Sequence, residues 1–316
     1  MKSFQSLYTN FTDITGNSAS ANTTFGKALL NDSQRIVLAT YGGKWPFLEN
    51  TKNLTSAAST ATYQLPVDCR KVMTVEFQQS STVLYHPVPV EDPNFWNYLQ
   101  SLNASASDVP QYWYQPTPRT ISLWPTISSA SKTMPIRYRK IVKDMTAADY
   151  TTGTITTWAN GDDDITGATT TWTSAMAGRF IRVTNDGMWY EIASRSADTA
   201  IKTTKNFEGT AISAGSEAYT IGEMPIIPAE HADIILWRSL AIYYDQNDNP
   251  KKSDRYWRRY DGGYEAGSSR EIGGALKKMF DEQYSGKSEE VFMEAELENR
   301  RLNQNNPPQS ITGQSW

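Results

Sequence analysis

The chain has 316 residues, room for one large domain or two ordinary ones, and its formal net charge of −4 argues against a protein that grips nucleic acid through clustered positive charge. A single cysteine, Cys69, excludes an intrachain disulfide and a Cys-based zinc cluster, and two histidines, His86 and His231, leave little for His-centred catalysis or metal ligation. No run approaches the roughly 18 to 20 apolar residues that span a bilayer. The opening Met1-Lys2-Ser3-Phe4-Gln5 has no apolar signal core, so a soluble chain that starts at Met1 and is not exported by the general route is expected. Ten Trp and seventeen Tyr fit a Tyr-rich β protein or one with a large interface, because both side chains tolerate half-burial.

Residues 4 to about 41 are polar with sparse apolar positions, and the later part reads as a helix. Thr23 and Thr24 are candidate caps, Phe25, Ala28, Leu29, Ile36 and Val37 recur near helical spacing, and Gly42-Gly43 stops the run. Asn31-Asp32-Ser33 is expected to split it, since short polar side chains compete for backbone hydrogen bonds. From about Ala61 the period becomes two, through Tyr63 to Pro66 and then Arg70 to Phe77. That alternation places Val72, Thr74 and Glu76 on one face and Met73, Val75 and Phe77 on the other. A short helix is expected from Pro93, a hairpin from Gln111–Tyr114 and Ile121–Trp124 joined by Pro116-Thr117-Pro118, and a further strand from Pro135 to Lys140.

Residues 151 to 223 are dense in Thr, Gly, Ala and Asp, and read as an inserted all-β domain, a small sandwich or barrel. Within it Phe180–Val183 and Met188–Ile192 form a hairpin around Asp186-Gly187, a pair that supplies positive φ angles. Pro228-Ala229-Glu230 then starts a helix lined by Ile234, Trp237, Leu240, Ala241 and Tyr244, which Asn247-Asp248-Asn249-Pro250 breaks. A second helical stretch is expected from about Lys251 to Tyr284. Its glycines at 262, 263, 267, 273 and 274 point to close helix packing, since each costs about 1 kcal/mol in a helix relative to alanine. Beyond Ser285 the chain is charged, then polar, with nothing to build a core, and Trp316 reads as an anchor into a partner or the end of a solvated tail. The resulting fold class is α+β: N-terminal (1–60) and C-terminal (224–285) helices forming a bundle, a β-rich part (61–150), the inserted all-β domain (151–223) and an extended tail (286–316).

Candidate chemistry is sparse. Asp162-Asp163-Asp164 offers carboxylates to a hard cation, but lacks the alternating calcium-loop pattern and reads as a solvated hairpin tip. Neither a Gly-x-x-x-x-Gly-Lys-Ser/Thr phosphate loop nor a Gly-x-Ser-x-Gly nucleophile turn occurs. A glycosidase needs only two carboxylates and is not excluded by motif, although β-helical repeats are absent. No catalytic, cofactor-binding or metal-binding residue is therefore assigned. The basic group Lys251, Lys252, Arg255, Arg258 and Arg259, interleaved with Tyr256, Trp257 and Tyr260, fits a solvated face, an acidic protein partner or DNA; helical spacing sets Trp257 and Tyr264 opposite it.

The order of segments resembles the head-to-tail adaptors of tailed bacteriophages, including the tubular adaptor of short-tailed phages. The likeness is carried by Tyr112-Trp113-Tyr114, Ile121-Ser122-Leu123-Trp124-Pro125, Ile136-Arg137-Tyr138-Arg139 and Ile226-Ile227-Pro228-Ala229-Glu230-His231-Ala232-Asp233, followed by a Tyr-rich helix. The 151–223 segment is not part of the minimal adaptor pattern. What the resemblance implies is a structural, non-enzymatic virion protein at the head–tail junction: a ring of about a dozen copies below the portal protein. That ring would contact a tail tube, nozzle or stopper protein, meet DNA only transiently in its bore, and touch no membrane. The C-terminal segment would run onto the portal. Interface candidates are Tyr256, Trp257, Arg258, Arg259, Tyr260, Tyr264, Arg300, Arg301 and Trp316. The alternative is a tail or baseplate component that binds receptor or glycan through Trp158, Trp172 and Trp189 of the insertion.

Overall fold

Ser3 starts the first helix: its hydroxyl accepts the amide of Ser6, satisfying a backbone donor that the first turn cannot. A computed structural model describes residues 1–80, 83–102, 107, 109–213, 215–264 and 271–284. The chain divides into two compact units, Met1–Ser239 and the residues from Leu240 on.

In the first unit α1 (Phe4–Thr15) buries Phe4, Leu7 and Phe11 along one stripe and ends at Gly16, whose φ of 68° is left-handed. The helix α2 (Ser20–Ala39) packs on it where Gly26 meets the Phe11 ring: a Cβ at Gly26 would lie 2.6 Å from that ring. Two expectations need correction here. The helix begins before Thr23 without a side-chain cap, and it runs unbroken through Asn31-Asp32-Ser33. Those side chains do not compete for the helix backbone because each has a tertiary partner. Asn31 exchanges two hydrogen bonds with the Met145 backbone, Asp32 pairs with Arg238, and Ser33 bonds Ser239. Phe25 and Ile36, placed on the apolar side from spacing, are over a third exposed; Leu29, Leu30, Val37 and Leu38 form the buried stripe.

The next part is two sheets on one core. The first contains β1 (Glu49–Thr55), β3 (Cys69–Val75), β4 (Phe77–Gln78), β5 (Leu84–Tyr85) and β9 (Thr133–Lys140), in the order β1-β9-β4-β5 with β3 also on β9. The second contains β2 (Thr62–Gln64), β6 (Val88–Pro89), β7 (Tyr112–Thr117) and β8 (Thr120–Trp124), in the order β2-β8-β7-β6. Val72, Val75, Phe77, Met134, Ile136 and Tyr138 of the first sheet share a core with Tyr63, Trp113, Ile121 and Leu123 of the second. Val72 and Val75 are both buried although strict alternation separates them. A bulge at Met73 in the β3–β9 ladder sets two residues against one and returns Val75 to the inner face. The hairpin turn lies at Pro118-Arg119, two residues later than expected, because Thr117 and Thr120 still pair. The short helix α3 (Pro93–Ser101) starts where proline predicts, capped by the Asp92 carboxylate accepting from Asn94 N–H.

Residues between Thr154 and Gly222 form a six-stranded antiparallel sheet. It comprises β10 (Thr154–Thr157), β11 (Asp164–Ala168), β12 (Phe180–Val183), β13 (Tyr190–Ala197), β14 (Ala200–Thr203) and β15 (Tyr219–Gly222), in the order β10-β11-β14-β13-β12-β15. Its two ends meet. Tyr150 pairs with Ile221 and Ile155 with Glu217, each through two backbone hydrogen bonds of 2.8 to 3.0 Å, so the sheet closes on itself as a small barrel. The Phe180–Ile192 hairpin forms, but its second strand begins at Tyr190 and not at Met188. Gly187, at φ 74°, closes the turn early by donating its N–H to Val183 C=O.

After a single 3-10 turn at Ala229–His231, helix α4 (Asp233–Gln246) runs across the boundary between the units in sequence. Its opening turns belong to the first unit: Asp233 accepts two hydrogen bonds from Lys2, and Ser239 meets Ser33. The second unit continues with α5 (Pro250–Tyr260), a hairpin of β16 (Gly262–Tyr264) and β17 (Glu271–Gly273), and α6 (Ala275–Gln283). The expected glycine-interrupted helix from Lys251 to Tyr284 is therefore two helices around a hairpin. Gly274 does mark a close backbone approach: a Cβ there would lie 2.3 Å from the Gly262 nitrogen. Gly267 and the tail from Ser285 lie outside the described residues. The architecture is α+β throughout, and among the described residues no helix is long and apolar enough to cross a membrane.

Candidate assembly interface

Two strands that sequence reasoning passed over, β5 and β6, are each at an open edge of a sheet, and every residue of both is exposed. Their sequence, Val83-Leu84-Tyr85-His86-Pro87-Val88-Pro89, carries the signal that could have found them. Proline lacks the N–H a central strand must donate, so two prolines among β-formers mark an edge. Half of the large hydrophobic residues that the described chain exposes lie between Val83 and Leu102, including Leu84, Val88, Phe95 and Tyr98. Val88, Phe95 and Tyr98 are linked through Tyr112, and Leu84 lies at the open edge of the other sheet. Val88 pairs in register with Tyr112, the Tyr112 ring meets Phe95 edge-on at 5.9 Å, and Phe95 stacks on Tyr98 at 6.4 Å. Beside them a cleft of about 440 Å³ is lined by Tyr85, His86, Ser107, Val109, Pro110 and Gln111. Beneath, Val90, Trp96 and Leu99 are buried against Tyr114 and Trp124, which fixes α3 under the exposed rings.

The barrel corrects another expectation. Trp158 and Trp172 are wholly buried and line its core; neither ring meets solvent. Trp158 stacks on Phe207 at 4.1 Å and donates its indole N–H to Asp162 C=O, while Trp172 donates to the Tyr219 hydroxyl at 2.8 Å. Burial raises the Tyr219 hydroxyl well above its usual pKa, so it stays a neutral donor to Thr152 C=O. Trp189 is half-buried under the Arg182 guanidinium, beside the exposed Met188. At the Asp162–Asp164 tip Lys202 supplies the positive charge, 2.9 Å from Asp164 and 3.5 Å from Asp163.

In the second unit α5 is held by its inner face. Asp245 accepts from the Ser253 hydroxyl at 2.5 Å and from the Trp257 indole at 2.9 Å, and these bonds, the serine first, hold its carboxyl below the usual range. Tyr256 stacks on Tyr244 at 5.8 Å and Tyr260 is buried, so Trp257 and Tyr260 serve the unit's own packing. Lys251, Lys252, Arg255, Arg258 and Arg259 are exposed. The side chain of Tyr264 and residues Arg300, Arg301 and Trp316 lie outside the described residues.

Apolar side chains bared at the open edges of a two-sheet body fit a protein that assembles with others. The family model described as SU10 adaptor protein matches residues 3–206, more than half of the chain, and the chain belongs to that family of phage head-to-tail adaptors. The family is one of structural proteins and not an enzyme class. The match runs through five of the barrel's six strands, so most of the segment that the resemblance set aside is part of the family pattern. No curated protein matches the chain.

Proposed function

We propose that the protein forms a ring of about a dozen copies directly below the portal, joins the head to the tail and leaves a channel through which DNA passes. Membership of the adaptor family supports contact with portal and tail components. The observation that carries the ring is the apolar surface from Leu84 to Tyr98 on two open sheet edges. Two-residue strands and the prolines at 87 and 89 limit strand addition at these edges, but they leave the apolar side chains bare. An apolar, unpaired edge is favourable only when a neighbouring chain covers it. Permanent rings bury about 2,000 Å² or more at each subunit contact, and exposed aromatic rings such as Phe95 and Tyr98 supply such area at small entropic cost. The 286–316 segment would contact the portal.

Replacing Leu84 and Tyr98 by Glu tests this reading. The variant is expected to melt within a few degrees of the parent, since both side chains are about half exposed, yet to sediment as a monomer when mixed with purified portal, where the parent sediments as a ring on it. A variant that still assembles on the portal would remove this surface from the interface.

A further inference from the structure

Helix α5 carries more positive charge than its own stability favours. Lys251 and Lys252 sit in the first turn, where the helix dipole disfavours cations and where no acidic residue is present. Lys251, Arg255 and Arg259 follow one another at intervals of four, so like charges stand on adjacent turns. At 3.6 residues per turn all five cations fall within an arc of about 120°, on the side away from the buried Ser253 and Tyr260. Among the described residues one carboxylate, Asp254, answers this row, through Arg258 at 2.9 Å. Lys252 and Arg259 lie over the rings of Tyr244 and Tyr256, which sets their positions without neutralising them. Packing does not require the row, because the opposite face holds the helix in place.

The same chain contains a matching anion. Residues 289–298 include Glu289, Glu290, Glu294, Glu296 and Glu298 and no Lys or Arg, and Glu290, Glu294 and Glu298 repeat the interval of four found in Lys251, Arg255 and Arg259. Helix α6 ends at Gln283 in the same unit and packs with α5. Glu289 follows Tyr284 by five residues, a reach of up to about 17 Å of extended chain.

We propose that the Glu-rich segment 289–298 docks on the basic row of α5 in its own chain. The contact neutralises the row and shields it from other polyanions, nucleic acid among them. It does not depend on where the ring sits in the particle.

Binding of fluorescent heparin to the full chain at 0.1 M salt tests the contact. Replacing the five glutamates by Gln is expected to tighten heparin binding at least about tenfold, since freed cations release counterions from the polyanion. Adding Lys251→Ser, Arg255→Ser and Arg259→Ser to that variant is expected to abolish the gain. Equal binding by parent and Gln variant would overturn the proposal, as would a gain that survives the Ser substitutions, because the change in net charge alone would then explain it. Shielding that is lost when the parent is diluted from micromolar to nanomolar would assign the segment to a neighbouring copy and overturn the same-chain contact.

Discussion

Ser33 and Ser239, 206 residues apart in sequence, share a 2.9 Å hydrogen bond between hydroxyls that are both completely buried. Ser239 also donates to Ile235 C=O within its helix, so the Ser33 hydroxyl is the one that reaches across, with Arg238 Nη1 3.4 Å away. Ser33→Ala is expected to lower unfolding stability by about 1 to 2 kcal/mol in urea denaturation, because a buried polar partner is left unmatched. Adding Ser239→Ala should recover part of that loss. Additive losses would show that the two hydroxyls do not act as a pair.

Burial of Trp158 separates two readings of the barrel. Trp158→Ala is expected to destabilise the fold by about 3 to 5 kcal/mol through the cavity left beside Phe207 and Tyr190. Trp189→Ala removes a half-buried ring and its contact with Arg182, and should cost less, about 1 to 2 kcal/mol. Comparable small losses for both would contradict the core assignment.

Cys69 is fully buried, and burial, with the Asp68 carboxylate beside it, pushes its thiol up to about 11. The native protein at pH 8 should therefore react with a thiol reagent only on unfolding. Labelling within minutes in the absence of denaturant would show that the β core opens at that site.

The Asp245 carboxyl has a lowered pKa in the folded chain, so its contribution to stability is present above the unfolded value near 3.8 and is lost as pH falls through the folded value. Asp245→Asn should melt below the parent at pH 7, and the difference should close progressively below about pH 4. A difference that does not change with pH would mean that the carboxylate charge is not what holds Ser253 and Trp257.

Where periodicity or a local cap decides the outcome, the fold was legible in the sequence: α3 from Asp92-Pro93, the strand through Ile136 and Tyr138, and the hairpin from Phe180. Failures occurred where a distant partner decides. Asn31, Asp32 and Ser33 read as helix breakers until Met145, Arg238 and Ser239 are placed beside them. The bulge at Met73 leaves no mark in the residue pattern, and neither did the burial of Trp158 and Trp172, since an aromatic ring reads alike in a core and at a surface. The proposed interface from Leu84 to Tyr98 needed the sheet order: the prolines at 87 and 89 mark an edge, but not that Val88 lies beside Tyr112 and the Phe95 ring.

The central claim is a place in the particle, and cryo-electron microscopy of intact virions, reconstructed without imposed symmetry, measures it directly. Density for this chain as a closed ring between portal and tail, with Leu84 to Tyr98 covered by the neighbouring copy, is the predicted result. Copies found at the distal tip of the tail, or single copies with that surface in solvent, would contradict it.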